Sequence, residues 1–181
     1  DLVVFGRAVG LKVEEQLASG LGYRDEDPED IERALARVAR WDNKANTENP
    51  YEIRQEMKQI MQDSFGVFRD HDPMESGLAK LEELKAQLER AKLGDTSKTY
   101  NTTRIEMLEL DNLMETALVT ARSSLNRVES RGGHYRNDYP DRDDAHWIKH
   151  TLCFDNGKFA YREVNMKPKH REPIPVKERD H

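Results

Sequence analysis

Helical periodicity broken by its own start and stop signals constrains this chain more than any other feature. Ile105, Leu108, Leu113, Ala117, Ala121, Leu125 and Val128 recur along one stretch and predict the longest helix, from Thr102 or Thr103 to Ser130, with that row facing inward. Gly132 and Gly133 follow as a natural C-terminal stop. Upstream, Pro50 opens a helix whose face is marked by Ile53, Met57, Ile60, Met61, Ser64 and Phe68. Asp72-Pro73 opens another, carrying Leu78, Leu81, Leu84, Leu88 and Ala91, which the stretch Gly94 to Thr99 ends. The acidic run Asp25 to Asp30, with Pro28 in a first-turn position, starts one more, along which Ile31, Leu35, Val38 and Trp41 recur. The polar stretch Asp42 to Asn49 reads as a loop. Helices joined by short polar loops, with no alternating strands between them, imply a mainly α fold, an antiparallel helical bundle. The Met and Leu rows have the ordinary spacing of a packed core rather than of a cofactor box.

The two ends depart from this pattern. Leu2, Val3, Val4, Phe5, Ala8, Val9 and Leu11 crowd nearly all sides of an opening helix that turns amphipathic only near Val13 and Leu17. Such a helix is normally buried, either within this chain or against another part of a larger protein. Gly6 and Gly10 would let a second backbone approach, and the first residue is Asp rather than Met, so the chain reads as a fragment. At the other end the period changes. Trp147 to Phe154 and Phe159 to Met166 flank Asp155-Asn-Gly-Lys158, and Asn156-Gly157 is the favoured pair for a two-residue turn with both positions at positive φ. A C-terminal β-hairpin is expected there, lying against the helices or against missing protein. Pro168, Pro173 and Pro175 then predict an extended tail. The expected division is a linking helix over 1–22, a bundle over 23–133, and a charged segment, hairpin and tail over 134–181.

Composition excludes several classes. A net charge of -6 disfavours nucleic acid as a partner. Cys153 is the only cysteine, so neither an internal disulfide nor a zinc site of several thiolates can form within the chain. No apolar run is long enough to cross a bilayer, so direct membrane insertion is not expected and the chain should be soluble by itself. Ser123, Ser124 and Ser130 have no nucleophile elbow around them, and no glycine-rich fingerprint follows a strand.

The densest chemistry lies between Arg127 and Asp144, where Arg127, Arg131, Arg136 and Arg142 face Glu129, Asp138, Asp141, Asp143 and Asp144. Mixed charge of this kind favours guanidinium–carboxylate pairs over a phosphate-binding strip. The aspartates lack the glycine and distal glutamate of an EF-hand and are better matched to Arg136 and Arg142. His146 and His150 would share a helix face, but the hairpin pattern puts them in or beside a strand, with no third ligand at a fixed offset. No catalytic, cofactor-binding or metal-binding residue is assigned. Arg127, Glu129, Arg131, His134 and Arg136 are the candidates for an ordering network.

The same stretch carries a family resemblance. Glu129-Ser-Arg-Gly-Gly-His134, Arg136-Asn-Asp-Tyr-Pro-Asp-Arg-Asp-Asp144 and His146-Trp-Ile-Lys-His-Thr-Leu152 resemble the C-terminal region of succinate dehydrogenase and fumarate reductase flavoprotein subunits. Leu110-Asp-Asn-Leu-Met-Glu-Thr-Ala117 and Asp1-Leu-Val-Val-Phe-Gly-Arg7 are similar to segments of that family in the same order. Gly133 stands where the family usually has alanine, and the tail ends Glu-Arg-Asp-His181 where a terminal tyrosine is expected. The resemblance implies a parent that interconverts succinate and fumarate through a covalently held FAD and passes electrons to an iron–sulfur subunit. It implies that the flavin and dicarboxylate sites lie upstream of Asp1, so the fragment alone should hold no FAD. Its helices would support the parent's own N-terminal flavin domain. That parent would sit peripherally on the cytoplasmic face of the bacterial inner membrane or on the mitochondrial matrix side. The alternative is an independent helical module that binds other proteins and has no catalytic role.

Overall fold

A computed structural model describes residues 1–43, 45, 47–167 and 172–173. It divides into two compact units, Asp1–Arg40 and Trp41–His181.

The first unit holds two helices. Helix α1, Leu2–Ala18, ends in a Schellman motif: the Gly20 amide donates to the Leu17 carbonyl at 3.1 Å and the Leu21 amide to that of Gln16 at 3.1 Å. Gly20 supplies the required left-handed residue at φ 87°. Helix α2, Pro28–Ala39, starts where the sequence indicates, with the Asp27 carboxylate accepting from the Glu29 amide at 3.0 Å. Neither helix buries a residue; Leu2 is 92% exposed, and Val3, Val4, Phe5 and Leu17 stand open beside it.

The second unit is an antiparallel bundle of α3 (Pro50–Phe65), α4 (His71–Leu88) and α5 (Thr102–Asn126), followed by a hairpin. Its core is Trp41 with Ile53, Met57, Ile60 and Phe65 of α3, Met74, Leu81, Leu84 and Leu88 of α4, and Met107, Leu110, Met114, Leu118 and Ala121 of α5. Close approach of α3 and α4 depends on Gly77, where a Cβ would lie 2.6 Å from the Ser64 side chain. Asn49 caps α3 by accepting from the Tyr51 amide at 3.1 Å, and Asn101 caps α5 by accepting from the Arg104 amide at 2.8 Å.

The inward row of α5 includes Ala117 and Ala121 as the sequence suggests but departs from the expected row toward the start of the helix. Ile105 and Leu113 are 58% and 42% exposed, while Met107, Leu110, Met114 and Leu118 are buried. The buried row keeps unbroken three- and four-residue steps, whereas the step from Leu108 to Leu113 swings well off the face. Phe68 likewise leaves the α3 face: the helix ends at Phe65, which takes the core position, and Phe68 is 70% exposed.

Helix α5 also stops short of Ser130. Arg127 is already extended, at φ -86° and ψ 105°. Gly132, at φ 60°, serves a reverse turn in which the amides and carbonyls of Arg131 and His134 exchange bonds of 2.7 and 3.0 Å. The glycine pair therefore turns the chain rather than ending the helix. Beyond it, β2 (Tyr135–Arg136) pairs in parallel with β1 (Phe68–Arg69), the short connection between α3 and α4.

A single turn, α6 (Asp144–Trp147), leads into the hairpin of β3 (Lys149–Cys153) and β4 (Phe159–Glu163), paired antiparallel from Lys149 with Glu163 to Cys153 with Phe159. The connection is longer than the expected two residues. The Gly157 amide donates to the Phe154 carbonyl and the Phe154 amide to that of Lys158, both at 2.9 Å, while only Gly157, at φ 74°, is left-handed. This is a turn closed by a glycine bulge, a form that requires one positive φ rather than two. Of the tail prolines, Pro168 and Pro175 lie outside the described residues, so the extended-tail expectation does too.

Candidate functional site

The five residues of the expected network converge where α5 ends. Glu129 is fully buried. Its carboxylate accepts from the Arg127 guanidinium, from Arg131 Nε at 2.8 Å and Nη2 at 2.9 Å, and from the Asp143 amide at 3.0 Å. Burial acts to raise its pKa, but the hydrogen bonds from Arg131, Arg127 and the Asp143 amide hold it below the usual glutamate value. Arg131 reaches on to Asp144 at 2.7 Å, and Asp144 also takes Arg142 at 2.9 Å. Arg127 spans to the hairpin, donating to the carbonyls of Trp147 at 3.1 Å and Lys149 at 2.6 Å, with its guanidinium 4.9 Å from the centre of the Trp147 ring.

Arg136 closes the helix end from the other side. Its buried guanidinium forms a bidentate pair with Asp138 and points Nη1 at the Ser124 and Leu125 carbonyls, each at 3.4 Å. Those carbonyls belong to the last turn, where no intrahelical donor remains. Ser130 fastens the returning segment: its hydroxyl accepts from the Arg136 amide at 2.9 Å and donates to the Tyr139 carbonyl at 2.8 Å.

His134 completes the arrangement. Its Nδ1 accepts from Arg69 Nη1 at 2.7 Å, and its Nε2 donates to the Arg127 carbonyl at 3.0 Å. The partners thus fix the tautomer and the neutral form. Burial pushes the His134 pKa down, the bond to the Arg127 carbonyl works against that, and the charges of Arg69, Arg136 and Arg127 push it further down.

The sequence brings forward Arg127, Glu129, Arg131, His134 and Arg136, and the structure places all five in one network. It adds Arg69 and Ser130, which sequence reasoning missed. Arg69 is distant in sequence and stands in a two-residue strand, so no local periodicity marks it. The aspartates pair as the charge pattern suggests, with Asp138 on Arg136 and Asp144 on Arg131 and Arg142, while Asp143 faces His146 at 2.9 Å. His146 lies in α6 and His150 in β3, opposite Arg162, so the two do not share a face. Among the described residues no group of three potential ligands could hold a metal ion.

A family model described as the C-terminal part of the fumarate reductase flavoprotein matches residues 54–181. The chain belongs to that family. The succinate dehydrogenase flavoprotein subunit of Coxiella burnetii is 56% identical over 180 residues, covering 99% of this chain and 31% of its own. The fumarate reductase flavoprotein subunit of Haemophilus influenzae is 33% identical, covering 90% of this chain and 27% of its own. Among solved structures, an E. coli quinol fumarate reductase overlays 96% of this chain and 31% of its own with a TM-score of 0.79 at 31% identity. The chain therefore spans less than a third of the length of these relatives.

The family's name implies a flavin in the parent protein. The N-termini of α2, α3 and α4 carry acids, Asp27, Glu29 and Asp30, then Glu52, then Asp70 and Asp72, whereas the first turn of α5 carries none. The guanidinium groups of Arg127, Arg131 and Arg136 are already held by carboxylates.

Proposed function

We propose that this chain is the C-terminal support domain of a flavoprotein subunit that interconverts succinate and fumarate. The observation that carries this is identity of 56% over 99% of the chain to a succinate dehydrogenase flavoprotein subunit. On this reading FAD is held by the N-terminal flavin domain of the same subunit, and its electrons pass to an iron–sulfur subunit. Similarity to an E. coli quinol fumarate reductase and to a quinol–fumarate reductase with menaquinol molecules supports this reading. The open apolar surface of α1, with Leu2, Val3, Val4 and Phe5, is the seat proposed for the flavin domain. No helix among the described residues is long and apolar enough to cross a membrane, which suits a subunit peripheral to the cytoplasmic face of a bacterial inner membrane or the matrix side of a mitochondrial one. Arg127, Glu129, Arg131, His134 and Arg136 take the role of ordering the bundle end rather than of performing chemistry.

A chimera tests the reading. This chain replaces the matching C-terminal region of the Coxiella burnetii subunit, and flavin content and succinate-dependent dye reduction are measured. Retained flavin and turnover are expected. A folded, flavin-loaded chimera without turnover, or one that loses its flavin, would refute the assignment.

A further inference from the structure

Arg69 is a half-buried cation with an unusual set of acceptors. Its guanidinium donates to the Gly66 carbonyl at 2.9 Å, the Ser124 hydroxyl at 3.2 Å and His134 Nδ1 at 2.7 Å, all neutral groups. Among the described residues no carboxylate lies within ion-pairing distance of it, in contrast to Arg127, Arg131 and Arg136. The imidazole therefore does for Arg69 what carboxylates do for the other three.

We propose that His134 is an acid-sensitive latch, fastening the connection between α3 and α4 to the segment after α5 while its ring is neutral and releasing it on protonation. A proton on Nδ1 would turn an acceptor into a donor at 2.7 Å from another donor and add a charge facing Arg69. The charges facing the ring are Arg69 from β1, Arg127 from the end of α5 and Arg136 from β2. Two carboxylates of the network, Glu129 and Asp138, are engaged by Arg127, Arg131 and Arg136, so they offer the new cation little relief. What the latch holds is the pairing of Phe68 with Tyr135 and Arg69 with Arg136, extended by the Asn137 amide donating to the Arg69 carbonyl at 2.8 Å.

The sign follows from linkage. The open ring titrates near its ordinary value of about 6.5 and the latched ring lower, so the latch is fully closed above that value and weakens as pH falls toward the latched value. Hydrogen exchange at the Asn137 amide of the 181-residue chain reads this directly. After correction for intrinsic exchange, the opening constant should rise by up to about tenfold per pH unit below about pH 6.5, one proton's worth. His134→Gln can accept from Arg69 and donate to the Arg127 carbonyl but cannot titrate, so it should keep the protection seen at neutral pH and lose the slope. Ring nitrogen shifts of the unsubstituted chain give a second reading, because the latched ring should titrate below its ordinary value, at the pH where the fall in protection levels off. Flat Asn137 protection between pH 7.5 and 5 would overturn the proposal, and so would a slope that persists in His134→Gln.

Discussion

Leu118, in the middle of α5, and Glu129, just past its end, are both fully shielded from water, and opposite forces keep them there. Leu118 is buried because removing apolar surface from water is itself favourable, and the other apolar side chains of the core need only fill the space. Glu129 is buried at a cost that its donors offset: Arg127, Arg131 and the Asp143 amide together occupy both carboxylate oxygens. The apolar region is tolerant, since a different side chain of similar volume can occupy the site. The charged region is less so, since losing Glu129 takes from Arg127 and Arg131 the carboxylate they share.

Glu129→Ala should therefore be the most damaging single change, costing about 3–5 kcal/mol because Arg127 and Arg131 would be left partly buried without their shared carboxylate. Urea unfolding checks it, and a loss within the range of ordinary surface substitutions would remove the contrast between the two regions. The same carboxylate adds an acid limb to stability. Its folded pKa is lowered, so its contribution is present above the ordinary glutamate value and is lost as pH falls through the folded one. That limb begins at the ordinary glutamate value, below the ordinary histidine value at which the His134 limb begins, so the two should set in at different points of a stability profile taken from pH 7.5 to 3.

Leu118→Ala follows, at about 2–5 kcal/mol from lost transfer energy and the cavity left behind. Replacing Leu118 by Met should restore most of this, whereas replacing Glu129 by Gln should restore little, because a neutral amide cannot stand in for the charge between two guanidinium groups. Equal rescue at both sites would show that volume, not charge, governs the bundle end. Arg131→Ala should cost less, about 1–3 kcal/mol, because its side chain is partly exposed while Glu129 keeps Arg127 and the Asp143 amide. An unchanged melting curve would place Arg131 on the wet surface.

The contrast also explains which parts of the molecule were legible in the sequence. Helix starts are local, so Asp27-Pro28 and Asn49-Pro50 announce α2 and α3 where the side chains of Asp27 and Asn49 in fact cap them. The hairpin announces itself through Asn156-Gly157, although its turn needs only the glycine to be left-handed. Local charge density likewise marks Arg127, Glu129, Arg131, His134 and Arg136. What stayed hidden depends on distance: Arg69 joins the network from between α3 and α4, and nothing near it in sequence points to His134. The end of α5 was hidden for the same reason. Its stop is made by Arg136, which caps the Ser124 and Leu125 carbonyls from a later segment, while the nearby glycine pair is used for a turn.

The smallest expected effect concerns the face of α5, where sequence and structure disagree. Ile105 and Met107 are both apolar and lie within one turn, yet the structure exposes the first and wholly buries the second. Since the helix backbone is common to both, their difference isolates burial from helix propensity. Met107→Ala should cost about 2–5 kcal/mol, as for other buried side chains cut back to a methyl group. Ile105→Ala should stay within about 0.5 kcal/mol of the parent, because little apolar contact is lost and alanine favours the helix. Urea midpoints of the two variants decide the matter. If Ile105→Ala proved the more costly, the inward row would be the one read from Ile105, Leu108 and Leu113, and α5 would have to be turned about its axis in the bundle.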